Sequence, residues 1–356
     1  MAKRAYGLAV ALAVVMGVLT VATAWALDLP VRDPDGALGP SYVRLPGIVL
    51  ICFVADVIPR ALIRARGVRG AWPEIKKIAG ERWSRGRLTL IVLGLGSFYL
   101  TYVGYRNLKS FLPFIRDDLY DVELLAFDRI LTFGHDPATL LHTVLGTGTA
   151  AYVLSFVYIA YLVFVPASLA AWLVWSRSLA GGFWYCTALC LNWVLGVASY
   201  YLVPSQGPFV EEPSLFYGLP STETWALQAA LLGSRHDVIS NPAATNGVQS
   251  IAGFASLHVS VIFAAALITH LTVKSVWVRW SMWAYLAMTM VATIYFGWHY
   301  IADDIAGLAI GGASVWLGAI VTGHSMRGNH RGQAFGPDEV EPAPAETPVE
   351  RATVGV

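Results

Sequence analysis

The chain has 356 residues, of which 56% are hydrophobic and only 13% charged, with a formal net charge of +1. Several uncharged runs reach the roughly 20 residues that cross about 30 Å of hydrocarbon as a helix, so the composition reads as an all-α, polytopic membrane bundle and excludes an ordinary soluble domain. The basic residues sit in short loops and form no broad stripe, which argues against a nucleic-acid partner.

Eight spans are expected, near 7–27, 45–63, 88–105, 148–175, 180–202, 250–273, 280–298 and 301–322. The first also resembles a signal peptide, with Lys3 and Arg4 before an apolar core and "ATAWA" after it, but its apolar run is longer than most signal cores and favours an uncleaved helix. The second is the weakest, because Asp56, Pro59 and Arg60 interrupt it. The loop from Arg60 to Arg87 is strongly basic, and the excess of Lys and Arg places it in the cytoplasm. Counting from there puts Arg177, Lys274 and Arg279 inside, and the acidic loops around Asp117–Glu123 and Glu211–Glu223 outside.

This divides the chain into residues 1–87, two N-terminal helices and the basic loop; residues 88–322, a six-helix core; and residues 323–356, whose Pro and Glu content suits a disordered cytoplasmic tail. In the outer loop after the third span, Leu119, Val122, Leu125 and Leu131 fall near one helical face and Asp117, Asp121 and Asp128 largely on another, as in a helix lying at the membrane interface or packed over the bundle. Cys52, Cys186 and Cys190 lie in apolar runs, so no disulfide framework is implied.

Ionisable residues at membrane depth call for a function. In "ATIYFGWHYIADDIAG", residues 292–307, His299 and Asp303 are four apart, close enough on a helix for the carboxylate to fix the tautomer of the imidazole and raise the basicity of its other nitrogen. In "IAGFASLHVSV", residues 251–261, Ser256 and His258 open the sixth span, where free backbone N–H groups suit a phosphate. In "YYLVPSQGPF", residues 200–209, Gln206, Gly207 and Pro208 leave the fifth span on the same side. The alternatives are a polar pair buried for structural reasons, a proton relay in a transporter, and a zinc site using His258, His299 and Asp303. Against a transporter, the ionisable residues lie at one end of the spans, away from the midplane.

The order of these three segments resembles the type 2 phosphatidic acid phosphatase superfamily, over about residues 88–322, and within it the branch of inositolphosphotransferases such as inositol phosphorylceramide synthase. The resemblance implies a metal-independent, cofactor-free enzyme in which His299 attacks phosphorus, Asp303 orients it, His258 protonates the leaving group and Ser256 holds a phosphate oxygen. It departs from the phosphatase pattern at Leu257, where that pattern has Gly, and at Ala292 and Thr293, where it has Ser and Arg; no Lys or Arg occurs between Arg177 and Arg235. Missing cations favour a phosphodiester donor, because a monoester dianion needs more positive charge. Arg106, Lys109 and Arg235 are candidate substitutes on the outer side. The expected activity is transfer of a phosphorylated head group, such as phosphoinositol, from a phospholipid donor to a lipid or polyol acceptor, with hydrolysis by water as the alternative. The expected location is the cytoplasmic (plasma) membrane, with the site facing outward.

Overall fold

A computed structural model of the chain describes residues 6–35, 39–176 and 179–326. Among the described residues the secondary structure is helical, with no strand. The helices are α1 (Gly7–Leu27), α2 (Ser41–Ala65), α3 (Ala71–Arg82), α4 (Arg85–Phe111), α5 (Asp121–Leu131), α6 (Pro137–Leu145), α7 (Thr149–Ala170), α8 (Leu179–Leu202), α9 (Glu223–Ser240), α10 (Leu257–Thr272), α11 (Val276–Tyr295) and α12 (Ile301–Thr322). Shorter helical turns join them. Six are long and apolar enough to cross a membrane: α1, α2, α4, α7, α8 and α12. α10 is shorter, at 16 residues. The chain is thus a polytopic helical membrane protein. The tail read as disordered lies almost entirely outside the described residues, as do Lys3, Arg4 and Arg177.

Local chemistry explains most helix ends. Ser84, Thr222, Ser256 and Ser275 each accept a hydrogen bond from the backbone N–H three residues on, starting α4, α9, α10 and α11. Gly323 ends α12 with a positive φ of 76°. The sixth expected span starts seven residues late, at Leu257, because the stretch before it bonds outside any helix: Gly253 N–H donates to the Ser205 carbonyl and Phe254 N–H to Ser205 Oγ. The seventh begins four residues early, at Ser275-capped Val276. The interrupted second span is one 25-residue helix. Its buried Asp56 carboxylate accepts from Arg60 Nε at 3.0 Å, Arg82 Nε at 2.9 Å and Trp83 Nε1 at 3.0 Å, so the charge that weakened the sequence pattern is neutralised by the basic loop. That loop also contains α3.

α8 is the central helix, with most of its surface buried, and it packs on α1, α4, α10 and α12. α10 and α12 approach closely. A Cβ at Gly307 would stand 2.4 Å from the Ser256 carbonyl oxygen, and one at Gly311 2.6 Å from that of Ser260. Small residues four apart let two helix backbones meet, as in other membrane bundles. Gly307→Val is therefore expected to force α10 and α12 apart and to destabilise the protein by about 1–3 kcal/mol, as overpacking usually does. Thermal unfolding in detergent measures this; an unchanged melting temperature would mean that the contact yields without cost.

Candidate active site

The three segments singled out by sequence meet at one end of the bundle, tied by backbone hydrogen bonds. Ser256 N–H donates to the Asp303 carbonyl at 3.0 Å, Gly253 N–H to the Ser205 carbonyl at 2.8 Å and Phe209 N–H to the Gly297 carbonyl at 2.9 Å. Gly207 has a φ of +98°, and a Cβ there would lie 2.5 Å from the Trp298 carbonyl oxygen, so this close crossing requires glycine.

His299 lies just before α12 rather than within it. Tyr300 is the N-cap and Asp303 the third helical residue. Asp303 Oδ2 accepts from the Tyr300 N–H at 3.0 Å and faces His299 Nδ1 at 3.2 Å, so the carboxylate caps the helix and orients the ring at once. With Nδ1–H donating to Asp303, the lone pair is left on Nε2. Burial, reinforced by the Lys109 ammonium, holds the His299 imidazole neutral, with its pKa well below the usual histidine range.

His258, in the first turn of α10, lies with its ring centroid 6.2 Å from that of His299. It stacks on Tyr158 at 4.4 Å and lies tilted against Tyr161 at 4.0 Å, and Tyr158 stacks in turn on Trp298 at 5.2 Å. Three aromatic side chains therefore fix the orientation of this ring without taking up its nitrogens. Asp304 points away from the pair: its carboxylate is buried and accepts from Thr293 Oγ1 at 3.1 Å. Ser256 is fully buried, and its hydroxyl caps α10 and bonds to Asp304, so a role on a phosphate oxygen would require it to exchange a partner. Gln206 enters through its backbone N–H, which donates to Asp121, while the buried Pro208 lines a small crevice with His299.

A family model described as the PAP2 superfamily matches residues 122–317, more than half of the chain. The chain belongs to the PAP2 superfamily. It is also similar to lipid A 4'-phosphatase of Porphyromonas gingivalis, with 31% identity over 85 residues, covering 20% of this chain and 36% of that protein. The chain thus matches well under two thirds of the relative's length. No solved structure matches it.

Within this PAP2 fold, the three candidate cations stand in different places. Lys109, on α4, is buried close enough to His258 and His299 to bear on the charge of both, with its ammonium 4.5 Å from the centre of the Tyr200 ring. Arg106, one turn earlier, donates to Tyr102 Oη at 2.9 Å and Ser250 Oγ at 2.8 Å. Arg235 reaches Gln249 Oε1 at 3.4 Å. Among the described residues, none of the three has a carboxylate within ion-pair distance. Buried positive charge without a counter-ion is costly, and an anion would relieve that cost. Among the described residues there is no grouping of three or more His, Cys, Asp or Glu side chains arranged to hold a metal.

Sequence reasoning missed the role of α5. Asp121 and Asp128 face inward and are almost wholly buried, the reverse of a solvated polar face, while Glu123 is exposed. Asp121 accepts from the N–H groups of Gln206 at 2.9 Å and Gly207 at 2.8 Å and from Tyr300 Oη at 3.0 Å. Asp128 accepts from the Ile301 N–H at 2.9 Å, at the start of α12. Two acids seven residues apart lie on one helical face, and that spacing was the available signal.

Burial, with the Asp303 carboxylate nearby, pushes the Asp128 pKa up to about 6, although the N–H groups of Ile301 and Ala302 pull the other way. A carboxyl raised above its unfolded value of about 3.9 favours folding only while protonated. Its contribution is present below about pH 4 and is lost as pH rises through about 6. Asp128→Asn, which keeps an acceptor and cannot ionise, should raise the melting temperature relative to wild type at about pH 8 and lose that advantage towards pH 4. An equal difference at both values would show that Asp128 does not titrate there.

Proposed function

We propose that the protein cleaves a phosphate ester of a membrane lipid through a covalent phosphohistidine on His299. The observation that carries this reading is the oriented His299–Asp303 pair beside His258, with the two ring centroids 6.2 Å apart. His299 Nε2 attacks phosphorus, the bond from phosphorus to the lipid oxygen breaks, and that oxygen takes a proton from His258. In the second step an acceptor hydroxyl gives its proton to His258 and attacks phosphorus; the N–P bond breaks and His299 is regenerated. Asp303 keeps Nδ1 protonated throughout and offsets the charge that develops on the ring. Membership of the PAP2 superfamily and the similarity to a lipid A phosphatase support this class of reaction.

A transfer reaction, with an alcohol rather than water as acceptor, is favoured by one observation. His299 is only 6% exposed, and apolar side chains dominate the crevice beside it, so bulk water is held off the phosphoenzyme. The reading from sequence that this is an inositolphosphotransferase-like enzyme, acting on a phosphodiester such as a phosphoinositol lipid, belongs to this second form. Lys109 weakens the original reason for it, since it supplies a cation that the sequence motifs lack. The basic Arg60–Arg87 loop, read as cytoplasmic, supports a site on the extracytoplasmic side.

The deciding experiment incubates the purified protein with single phospholipids and lipid phosphates and identifies the products. Free phosphate with the dephosphorylated lipid supports hydrolysis, a new phosphorylated alcohol supports transfer, and neither product from any lipid overturns the proposal. Lys109→Gln should lower kcat/KM by roughly a hundredfold, the usual cost of removing one preorganised donor to transition-state charge. Unchanged kinetics would remove Lys109 from the site.

A further inference from the structure

Two neighbouring residues, Gln249 and Ser250, touch all three cation-bearing residues of the site. Gln249 is fully buried, and its side chain meets both α4 and α9: Nε2 donates to the Lys109 carbonyl at 2.7 Å, and Oε1 accepts from Arg235 Nη1 at 3.4 Å. Oε1 also accepts from the Ile251 N–H at 2.9 Å, and the Gln249 N–H donates to Ser110 Oγ at 3.1 Å. Ser250 Oγ accepts from Arg106 Nη2 at 2.8 Å.

The bond to Lys109 has its cause in the sequence. In a continuing α-helix the carbonyl of residue 109 would accept from the N–H of residue 113, but residue 113 is proline and has none. α4 ends at Phe111, and Gln249 supplies the missing donor. The last turn of α4, which carries Lys109, is therefore fixed by the segment that runs on to Ser256 and His258.

The second feature is neutrality. Elsewhere in the chain a buried cation has an acid beside it: Arg82 lies 2.9 Å from the Asp56 carboxylate. Among the described residues, Arg106, Lys109 and Arg235 meet neutral groups instead: the hydroxyls of Tyr102 and Ser250, the Tyr200 ring and the Gln249 amide. A glutamate at position 249 could accept from Arg235 equally well, but its charge would neutralise the guanidinium. An amide orients the same group and leaves its charge for an anion.

We infer that Gln249 is the positioning residue of the anion site: it fixes the last turn of α4 so that Lys109 stands beside the histidines, and as a neutral amide it holds Arg235 without neutralising it. The inference rests on the proposed function for the identity of that anion as the phosphate of the substrate.

Two measurements on the full-length protein test it. Gln249→Met keeps the length of the side chain and removes its hydrogen bonds. It should lower kcat/KM for phosphatidic acid by about tenfold, the worth of about one well-placed hydrogen bond, and should cost nothing further in a Lys109→Gln background. Equal losses in both backgrounds would show that Gln249 serves the fold alone and would overturn the inference. The second measurement needs no turnover and decides the matter if Gln249→Met does not fold. Inorganic phosphate should raise the melting temperature of the wild type in detergent, relative to potassium chloride of the same ionic strength. Gln249→Glu, which keeps the acceptor for Ile251 and Arg235, should lose that rise. No rise in the wild type, or an equal rise in Gln249→Glu, would overturn the inference. Were no lipid turned over by the wild type, the proposed function would fail, and the phosphate-dependent melting would still decide whether Gln249 governs an anion site.

Discussion

His299→Ala should abolish turnover and, with it, an acid-labile, base-stable label transferred from a phosphate-labelled donor. The side chain is buried with its Nδ1 beside Asp303, which in the proposed mechanism leaves Nε2 to attack, and no other imidazole among the described residues is both paired with a carboxylate and next to His258. Asp303→Asn should keep the fold, since an amide oxygen can still accept from the Tyr300 N–H, yet lose activity by about 10⁴-fold, the size of effect seen when an orienting carboxylate becomes an amide. Asp304→Asn should be much milder on turnover, because Asp304 bonds to Thr293 and Ser256 rather than to the imidazole. Turnover surviving in His299→Ala, or equal losses in Asp303→Asn and Asp304→Asn, would make the pair structural.

His258→Ala should slow formation of the phosphoenzyme by about a hundred- to ten-thousand-fold, because a lipid alkoxide is a poor leaving group without a proton. The effect should depend on the leaving group. A substrate whose leaving group is a stable phenolate, such as p-nitrophenol, needs little protonation and should lose far less. The comparison separates acid catalysis from packing: Tyr158 and Tyr161 lose a stacking partner in the variant whichever substrate is used, so a structural defect would slow both alike.

Much of this protein is legible in one dimension, because the bilayer imposes length and apolarity on every spanning helix and leaves both written in the sequence. The eight expected spans fall on the helices α1, α2, α4, α7, α8, α10, α11 and α12, of which all but α10 and α11 are long and apolar enough to cross a membrane. His299 and Asp303 were legible for the same kind of reason: their contact is local, formed within one turn at the start of α12. Contacts between distant segments are a different matter. Lys109 comes near the histidines only because α4 packs on α8 and α8 on α10 and α12, and nothing in its own surroundings in the chain distinguishes it from a solvated residue near a helix end. The inward turn of Asp121 and Asp128 was hidden because periodicity reveals which residues share a face but not which face meets water. In a membrane the usual inference reverses, since apolar side chains are stable outside against lipid while carboxylates need the backbone N–H groups of Gln206, Gly207 and Ile301 inside. The periodic pattern determined the helices and one histidine–carboxylate pair; desolvation and the demand for buried hydrogen-bond partners, satisfied only in three dimensions, decided what surrounds that pair.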